Sequence, residues 1–295
     1  ITRDILMEED FSVDEAGFYQ SMEEHRIASG AGKAFGTMGT KNVEILAAKG
    51  LGDIANKNTT TGADSMMWRR LIGANDQLRQ RVALALSEII VIGIGVEGIR
   101  FRQFAMAYYW DTLETHAFGK YRDLLEQISK APAMGTWLTF KGNRKASGNS
   151  LPDENYAREI MQLFSIGVYD LNIDGTLKLT EGKPKETYIQ DDVSQLARVF
   201  TGWDLDTSTG TNDTHDAVIR PMVQTAKYHE LGTKTFLGTT IPANTAGEAS
   251  LQIALNTLMA HANMAPFISR QLIQRLVTSN PSISYIARVA AVFND

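Results

Sequence analysis

The sequence predicts an all-α, or mainly α, protein: a multi-helix single globular domain with long loops and minor β-hairpin content. Three observations predict it. Apolar residues recur three and four apart in one segment after another from Asn75 onward, capping residues with Pro and Gly open and close those segments, and strand-like pieces are short, such as Lys234-Thr-Phe-Leu-Gly238. Helices of that kind bury their stripes against one another, so at least seven around a shared apolar interior are expected. With 295 residues, 43% of them apolar, the chain can bury a large core. We expect a loop-rich segment, residues 1–70, packed on a helical domain spanning 71–295.

Residues 1–64 are Gly- and Thr-rich and weakly periodic, which fits short helices between loops. Gly30, Gly32, Gly36 and Gly39 lack the preceding strand and the Gly-Lys-Ser/Thr ending of a phosphate loop. From Asn75, the residues Leu78, Val82, Ala85, Leu86 and Ile89 fall at helical spacing. The apolar run from Val82 to Val96 reads as buried helix and is too short to cross a bilayer. A second helix is expected from about Phe104 to His116, where His116 favours the helix dipole. Phe118, Tyr121, Leu124, Leu125 and Ile128 mark a third.

Residues 141–152 form a polar loop whose basic cluster reads as solvated. Asp153 then caps a helix in which Tyr156, Ile160, Leu163, Phe164 and Val168 share a face, with Glu154 and Arg158 paired outside. After an intervening loop, Thr187 and Gln190 make a capping box for a helix buried through Val193, Leu196, Ala197 and Phe200, which Gly202 stops. A polar surface excursion with a small hairpin is expected over 204–245, and long loops are often functional. Helices return with Ile253, Leu255, Leu258 and Met259, then with Phe267, Ile268, Leu272, Ile273, Leu276 and Val277; Asn280-Pro281 opens the last.

Composition narrows the function. A net charge of −5 and a pI near 5.6 argue against a general nucleic-acid binder, which needs a basic surface. With no cysteine, disulfides, zinc-thiolate sites, iron–sulfur clusters and thiol nucleophiles all fall away. Ile1-Thr-Arg-Asp is no signal peptide, and the missing initiator Met points to a processed or trimmed form.

The loop between the two central helices carries the sharpest pattern. Asp170-Leu-Asn172-Ile-Asp174-Gly175-Thr176-Leu177-Lys178-Leu179-Thr180-Glu181 matches D-x-[DN]-x-[DN]-G-x5-E at every specified position. Alternate residues of a tight loop turn their oxygens inward, and calcium takes roughly six to eight of them. On this reading Asp170, Asn172 and Asp174 supply side-chain oxygens, Thr176 its carbonyl and Glu181 a bidentate carboxylate, with Ca2+ as the cofactor. Lys178 sits where a ligand or water-holding residue is usual, and Gly182 and Pro184 stop the helix that leaves an EF-hand, so a paired EF-hand domain is not expected. The alternative is a hairpin turn at Asp174-Gly175 between short strands.

For catalysis the candidates are Glu159, Asp191 and His229, in a polar set with Arg158, Asp192, Glu230 and His261. A histidine among carboxylates serves as a general base or joins a hydrolytic metal site. Ion pairing and first-turn acids explain the same residues without chemistry. No G-x-S-x-G elbow, H-E-x-x-H, Walker loop or dinucleotide fingerprint occurs. Trp68, Trp110, Trp137 and Trp203 read as core or half-buried anchors rather than sugar platforms.

Several stretches together carry a resemblance. Asn75-Asp-Gln-Leu-Arg-Gln-Arg-Val-Ala-Leu-Ala-Leu-Ser-Glu88, His116-Ala-Phe-Gly119 with Tyr121-Arg-Asp-Leu-Leu125, Pro132-Ala-Met-Gly135, Asn143-Arg-Lys145, Pro152-Asp-Glu-Asn-Tyr-Ala-Arg-Glu159, Leu163-Phe164, and Asp191-Asp-Val193 with Ala197-Arg-Val-Phe-Thr-Gly-Trp203 resemble the bacterial family catalogued as domain of unknown function 1800. The likeness covers most of residues 70–295. Asn172-Ile-Asp-Gly-Thr176 also resembles the family's pattern, and His229-Glu230 stands where the family has a His-Asp pair before Lys-Thr-Phe-Leu-Gly. The resemblance implies a mostly helical, usually exported protein, hence a periplasmic or extracellular location. Its members are often encoded beside a sulfatase- or phosphatase-like protein, so an envelope or surface protein is the expected partner, that neighbour among them. Members generally continue past the point where this chain ends, so Asp295 is expected to be a truncation or cleavage point. No activity comes with the resemblance.

Two readings follow: an exported calcium-binding helical scaffold or interaction protein, and a hydrolase-like enzyme using His229 with acidic residues. Whether His229 meets Asp191 or Glu159 in a cleft separates them.

Overall fold

Helix α4 (Arg102–His116) is buried on nearly every side, through Phe104, Ala105, Ala107, Tyr109, Trp110 and Leu113, and it also buries Gln103, Asp111 and Glu114, so it lies in the core and carries polar groups into it. The computed structural model describes residues 40–93, 98–208 and 214–293. Within them α1 (Asn42–Ala48), α2 (Ala63–Gly73) and α3 (Gln77–Ile89) pack on α4 from the N-terminal side, and α5 (Tyr121–Ser129) and α6 (Pro132–Trp137) from the other. Then come α7 (Asn155–Gln162), α8 (Gln190–Ala197), α9 (Gly247–Ala260), α10 (Met264–Leu276) and α11 (Ile283–Phe293). Strand content among the described residues is three two-stranded antiparallel pairs: β1 (Leu179–Thr180) with β2 (Lys183–Pro184), β3 (Trp203–Asp204) with β4 (Val223–Gln224), and β5 (Lys234–Phe236) with β6 (Thr239–Ile241). The mainly α single domain is therefore what the chain forms.

One apolar cluster runs from Leu46 in α1 to Ile268 in α10, and a smaller one of Ile273, Tyr285, Ile286 and Val289 holds α11 on α10. At the centre Phe140 stacks on Tyr156 at 4.2 Å, and Phe200 meets Tyr156 edge-on at 4.7 Å. The Tyr156 hydroxyl shares a 2.7 Å hydrogen bond with the Ser129 hydroxyl, so the ring packs α7 while its polar tip is satisfied on α5.

Several expectations are corrected. The run from Val82 does not stay helical to Val96. Helix α3 ends at Ile89, residues 91–93 are irregular, and 94–97 lie outside the described residues, as do Gly30, Gly32, Gly36 and Gly39. Ile89-Ile-Val-Ile92 is a run of β-branched residues, poor helix formers, and the Tyr109 hydroxyl satisfies the Ile90 carbonyl that the helix end leaves unpaired. Leu78 is 56% exposed, since α3 turns Gln80, Ala83, Leu86 and Ile89 inward instead. Leu163 and Val168 are also exposed, because α7 stops at Gln162 and the chain winds back through Ile166 and Gly167 amides onto the Met161 carbonyl. The box at α8 is made by Asp192, which accepts the Ile189 amide at 2.9 Å; Thr187 instead hydrogen-bonds the Gly167 carbonyl.

The 204–245 excursion is only partly a surface loop. Its described residues bury Val218, Met222, Phe236 and Ile241, the Met222 amide donates to the Lys130 carbonyl at 2.7 Å, and His215 stacks on Phe104 at 4.0 Å. The hairpin expected there is β5–β6.

Candidate functional site

The 170–181 segment folds as two successive hairpins. Leu171 bridges Leu177 across a turn in which the Asn172 amide donates to the Thr176 carbonyl at 2.8 Å, and Gly175 supplies the left-handed backbone (φ +79°) that turn needs. The Asp174 carboxylate accepts the Thr176 amide at 2.9 Å and the Thr176 hydroxyl at 2.7 Å, which hold its pKa below the usual range. Asp170 is mostly buried and pairs with the Lys185 ammonium at 2.5 Å. Glu181 lies at the second turn, between β1 and β2, with φ +52°. As placed, the five residues do not form a shell that fits an ion: Asp170 faces a cation of the protein, Thr176 spends its carbonyl inside the turn, and Glu181 belongs to a different turn. Among the described residues no group of three or more His, Asp or Glu side chains is arranged to hold a metal.

The hairpin is anchored from far along the chain. Asn263, fully buried before α10, accepts the Leu171 amide at 2.8 Å and donates to the Ile166 and Tyr169 carbonyls at 2.9 and 2.7 Å.

His229 is fully buried, and its environment assigns its ring. Nδ1 lies 3.0 Å from the Thr201 carbonyl, which only accepts, so Nδ1 carries the proton and Nε2 accepts from the Ser250 hydroxyl at 3.3 Å. Burial lowers its pKa, which keeps the ring neutral. Gly202 (φ +85°) makes this possible, since a Cβ there would meet the Thr225 carbonyl at 2.8 Å and the His229 amide at 3.1 Å. His229 therefore ties the end of the α8 segment to the first turn of α9. Asp191 and Glu159 make no hydrogen bond to it. Asp191 is exposed on the first turn of α8, and Glu159 is half-buried on α7, its pKa raised by burial. Asp192 is spent on the box and on accepting the Leu237 amide at 2.7 Å, which pins the β5–β6 turn.

Beside His229 the sequence reading missed Lys234. It is fully buried on β5, its ammonium has no hydrogen bond among the described residues, and burial pushes its pKa down to about 8. A signal was present: Lys234 and Phe236 alternate on one face of the strand, and a face that buries Phe236 also buries Lys234. The Ser250 and Thr201 partners of His229 left no such trace.

A second polar assembly surrounds α4. The Asn42 amide and side-chain Nδ2 donate to Asp111 Oδ1 at 2.7 and 2.8 Å, and Nδ2 also to Glu114 Oε1 at 2.9 Å. Arg70 on α2 donates to Glu114 Oε2 at 2.5 Å, while Asp76 lies 3.6 Å from Arg70 and 3.7 Å from Arg79. Burial pushes the Asp111 carboxyl up to about 6 against the donors from Asn42 and Val43. Next to this seam lies a cavity of about 400 Å³ of mixed lining, with Lys41, Asp111 and Gln127 beside Val43 and Ile219, and beyond it a more apolar cavity of about 610 Å³; His116 is in the wall of both.

The family described as "Protein of unknown function (DUF1800)" matches residues 15–295. No curated protein and no solved structure matches the chain.

Proposed function

The chain belongs to the DUF1800 family of proteins of unknown function, and on that premise we propose that it acts as an exported helical scaffold that binds a partner protein, rather than as a hydrolase built on His229. The observation that carries this reading is the use already made of the catalytic candidates: His229 is neutral, buried and tied to Thr201 and Ser250, and its expected acids are elsewhere. Trp68 and Ile72 support it from the binding side. They lie four apart on α2 and are 58% and 77% exposed, and large apolar side chains left open in one place suit a protein contact. Among the described residues no helix is long and apolar enough to cross a membrane.

The test is photo-crosslinking from positions 68 and 72 in cells, with fractionation to place the protein. Capture of an envelope or surface protein that is lost in Trp68→Ala supports the proposal. Turnover of an ester, phosphate or glycoside that disappears in His229→Ala while the fold persists overturns it.

Calcium at the 170–181 loop is a second proposal, supported by the complete spacing from Asp170 to Glu181. It requires Lys185 to release Asp170 and the hairpin to open, so that calcium and Lys185 compete for one carboxylate.

A further inference from the structure

The cavity of about 610 Å³ has its charged and titratable groups confined to one chain segment. Apolar side chains line it from α3, α5, α9, α10 and α11, through Leu86, Leu124, Met259, Leu272, Leu276 and Phe293. Its polar lining, His116, Lys120 and Arg122, comes from the single stretch that turns from α4 into α5. Among the described residues no acidic side chain lines it. The size lies within the roughly 300–1,000 Å³ of small-molecule sites.

The cations differ in what they are free to do. Arg122 is committed to Glu126 and Gln252, and to Asn256 at 3.2 Å. Lys120 is exposed and has no ion pair or side-chain hydrogen bond among the described residues. The cavity thus joins an aliphatic interior to one uncommitted positive charge at one side. Water alone solvates such an interior poorly, and a polar head alone gains nothing from it.

We infer that this cavity binds a single-chain alkyl carboxylate, with the tail among Leu86, Met259 and Leu272 and the carboxylate on Lys120 beside His116. The long stem of Lys120 lets its ammonium stay in water while reaching the head group. Burial lowers the His116 pKa, so its ring is neutral near pH 7 and serves the head group as a hydrogen-bond donor rather than a charge. This inference is independent of the partner-binding face on α2 and of His229.

Calorimetric titration of the full chain with dodecanoate below its micelle concentration, with dodecan-1-ol as the neutral comparison, tests it. We expect one-to-one binding, tighter for dodecanoate. Lys120→Met, at an exposed position, should weaken dodecanoate by about fivefold or more and leave dodecan-1-ol unchanged, since only the charged contact is lost. Leu276→Trp and Met259→Trp fill the cavity from two helices and should abolish both ligands in whichever variant melts like the parent. Absence of saturable dodecanoate binding overturns the inference, as does equal affinity for the two ligands in the parent. Binding that survives a folded Trp variant places the ligand elsewhere and overturns it too, and so does concentration-dependent dimerisation that dodecanoate does not compete with.

Discussion

The seam around α4 and the 170–181 loop are built from the same residue types, acids with Asn and a cation, and they behave oppositely. In the seam, Asn42, Arg70, Asp76, Asp111 and Glu114 come from four separated stretches and are all buried. In the loop, the acids stand at regular spacing within twelve residues, yet they fold as local turns, with Asp174 partly open to solvent and Glu181 on another hairpin. Spacing along the chain does not assemble a charged site; burial with complementary donors does. A carboxylate taken from water must be met by charge or hydrogen bonds, and the long-range partners Asn42 and Arg70 provide them. Of the loop's acids only Asp170 is buried, and it too is met by charge, from Lys185; Asp174, partly open to solvent, settles for the nearest amide and hydroxyl.

The sharpest way to break the comparison is to remove one partner on each side. Glu114→Ala leaves Arg70 buried without its main counter-charge and Asn42 short of an acceptor, and loss of one partner of a buried pair costs roughly 3–5 kcal/mol. Urea unfolding should show that loss with an unchanged m value; a loss below about 1 kcal/mol would mean the seam is hydrated. Next in size is His229→Ala, which opens a void and leaves the Ser250 hydroxyl only its 3.5 Å contact with the Thr245 carbonyl. The cost is about 2–4 kcal/mol, measured in the same way.

The helices were legible in the sequence because their signals are local. The stripe of Val193, Leu196 and Ala197 on α8, with Phe200 in the 3-10 turn that follows, is buried as its spacing predicts, and the Glu154–Arg158 pair forms at 3.3 Å. Errors came where a tertiary contact decides an end: the Ile90 carbonyl taken by Tyr109, or Asp192 rather than Thr187 making the box. The sites were less legible still. Asp170 meets Lys185, His229 meets Thr201 and Ser250, and Asn42 meets Asp111 69 residues away, and no periodicity encodes such pairings. At Asp174-Gly175 the turn chemistry was visible, and a turn stands there with Leu171 bridging Leu177.

Asp192→Ala sharpens the comparison at a half-local site. One carboxylate there serves a neighbouring amide at Ile189 and a distant one at Leu237. Loss of the cap alone costs about 0.5–2 kcal/mol, and faster hydrogen exchange at Leu237 would register the distant half. If exchange there is unchanged, the turn of β5–β6 stands without Asp192.

A gentler effect is a slope with pH. The Asp111 carboxyl is pushed up to about 6 in the fold, above its ordinary value, so its contribution is fully present below that ordinary value and is lost as pH rises through about 6. His116, His215, His229 and His261 all have lowered pKa values, chiefly from burial, so their contribution has the opposite sign and is lost as pH falls below the ordinary histidine range. Asp111→Asn, which keeps the shape beside Asn42, should therefore steepen the rise of stability between about pH 4 and 7, where the histidine slope is no longer offset. Thermal melts across that range check the sign. A flatter profile in the variant would show that the Asp111 carboxylate is favoured in the fold.

The smallest expected effect is calcium on the parent protein, because the ion must first displace a salt bridge. A ligand that binds only the folded state stabilises it by RT ln(1 + [L]/Kd), so the shift in melting temperature reports the affinity left after that competition. Lys185 is more than half exposed, but Asp170 is mostly buried and loses its counter-charge when Lys185 is removed, so each variant is compared with itself, with and without calcium. Lys185→Met frees Asp170 and lowers the positive charge at the loop, so under the calcium proposal the variant should gain more from millimolar calcium than the parent does. Adding Asp174→Ala to Lys185→Met should cancel the gain, while Lys178→Ala should preserve or increase it. Melting curves that coincide with and without calcium in the parent and in Lys185→Met alike would leave the segment an anchored pair of hairpins. The reason would then lie in Glu181: it stands at its own turn, and bringing it into one shell with Asp170 and Asp174 would disturb the pairing of Leu179 with Pro184 and of Thr180 with Lys183.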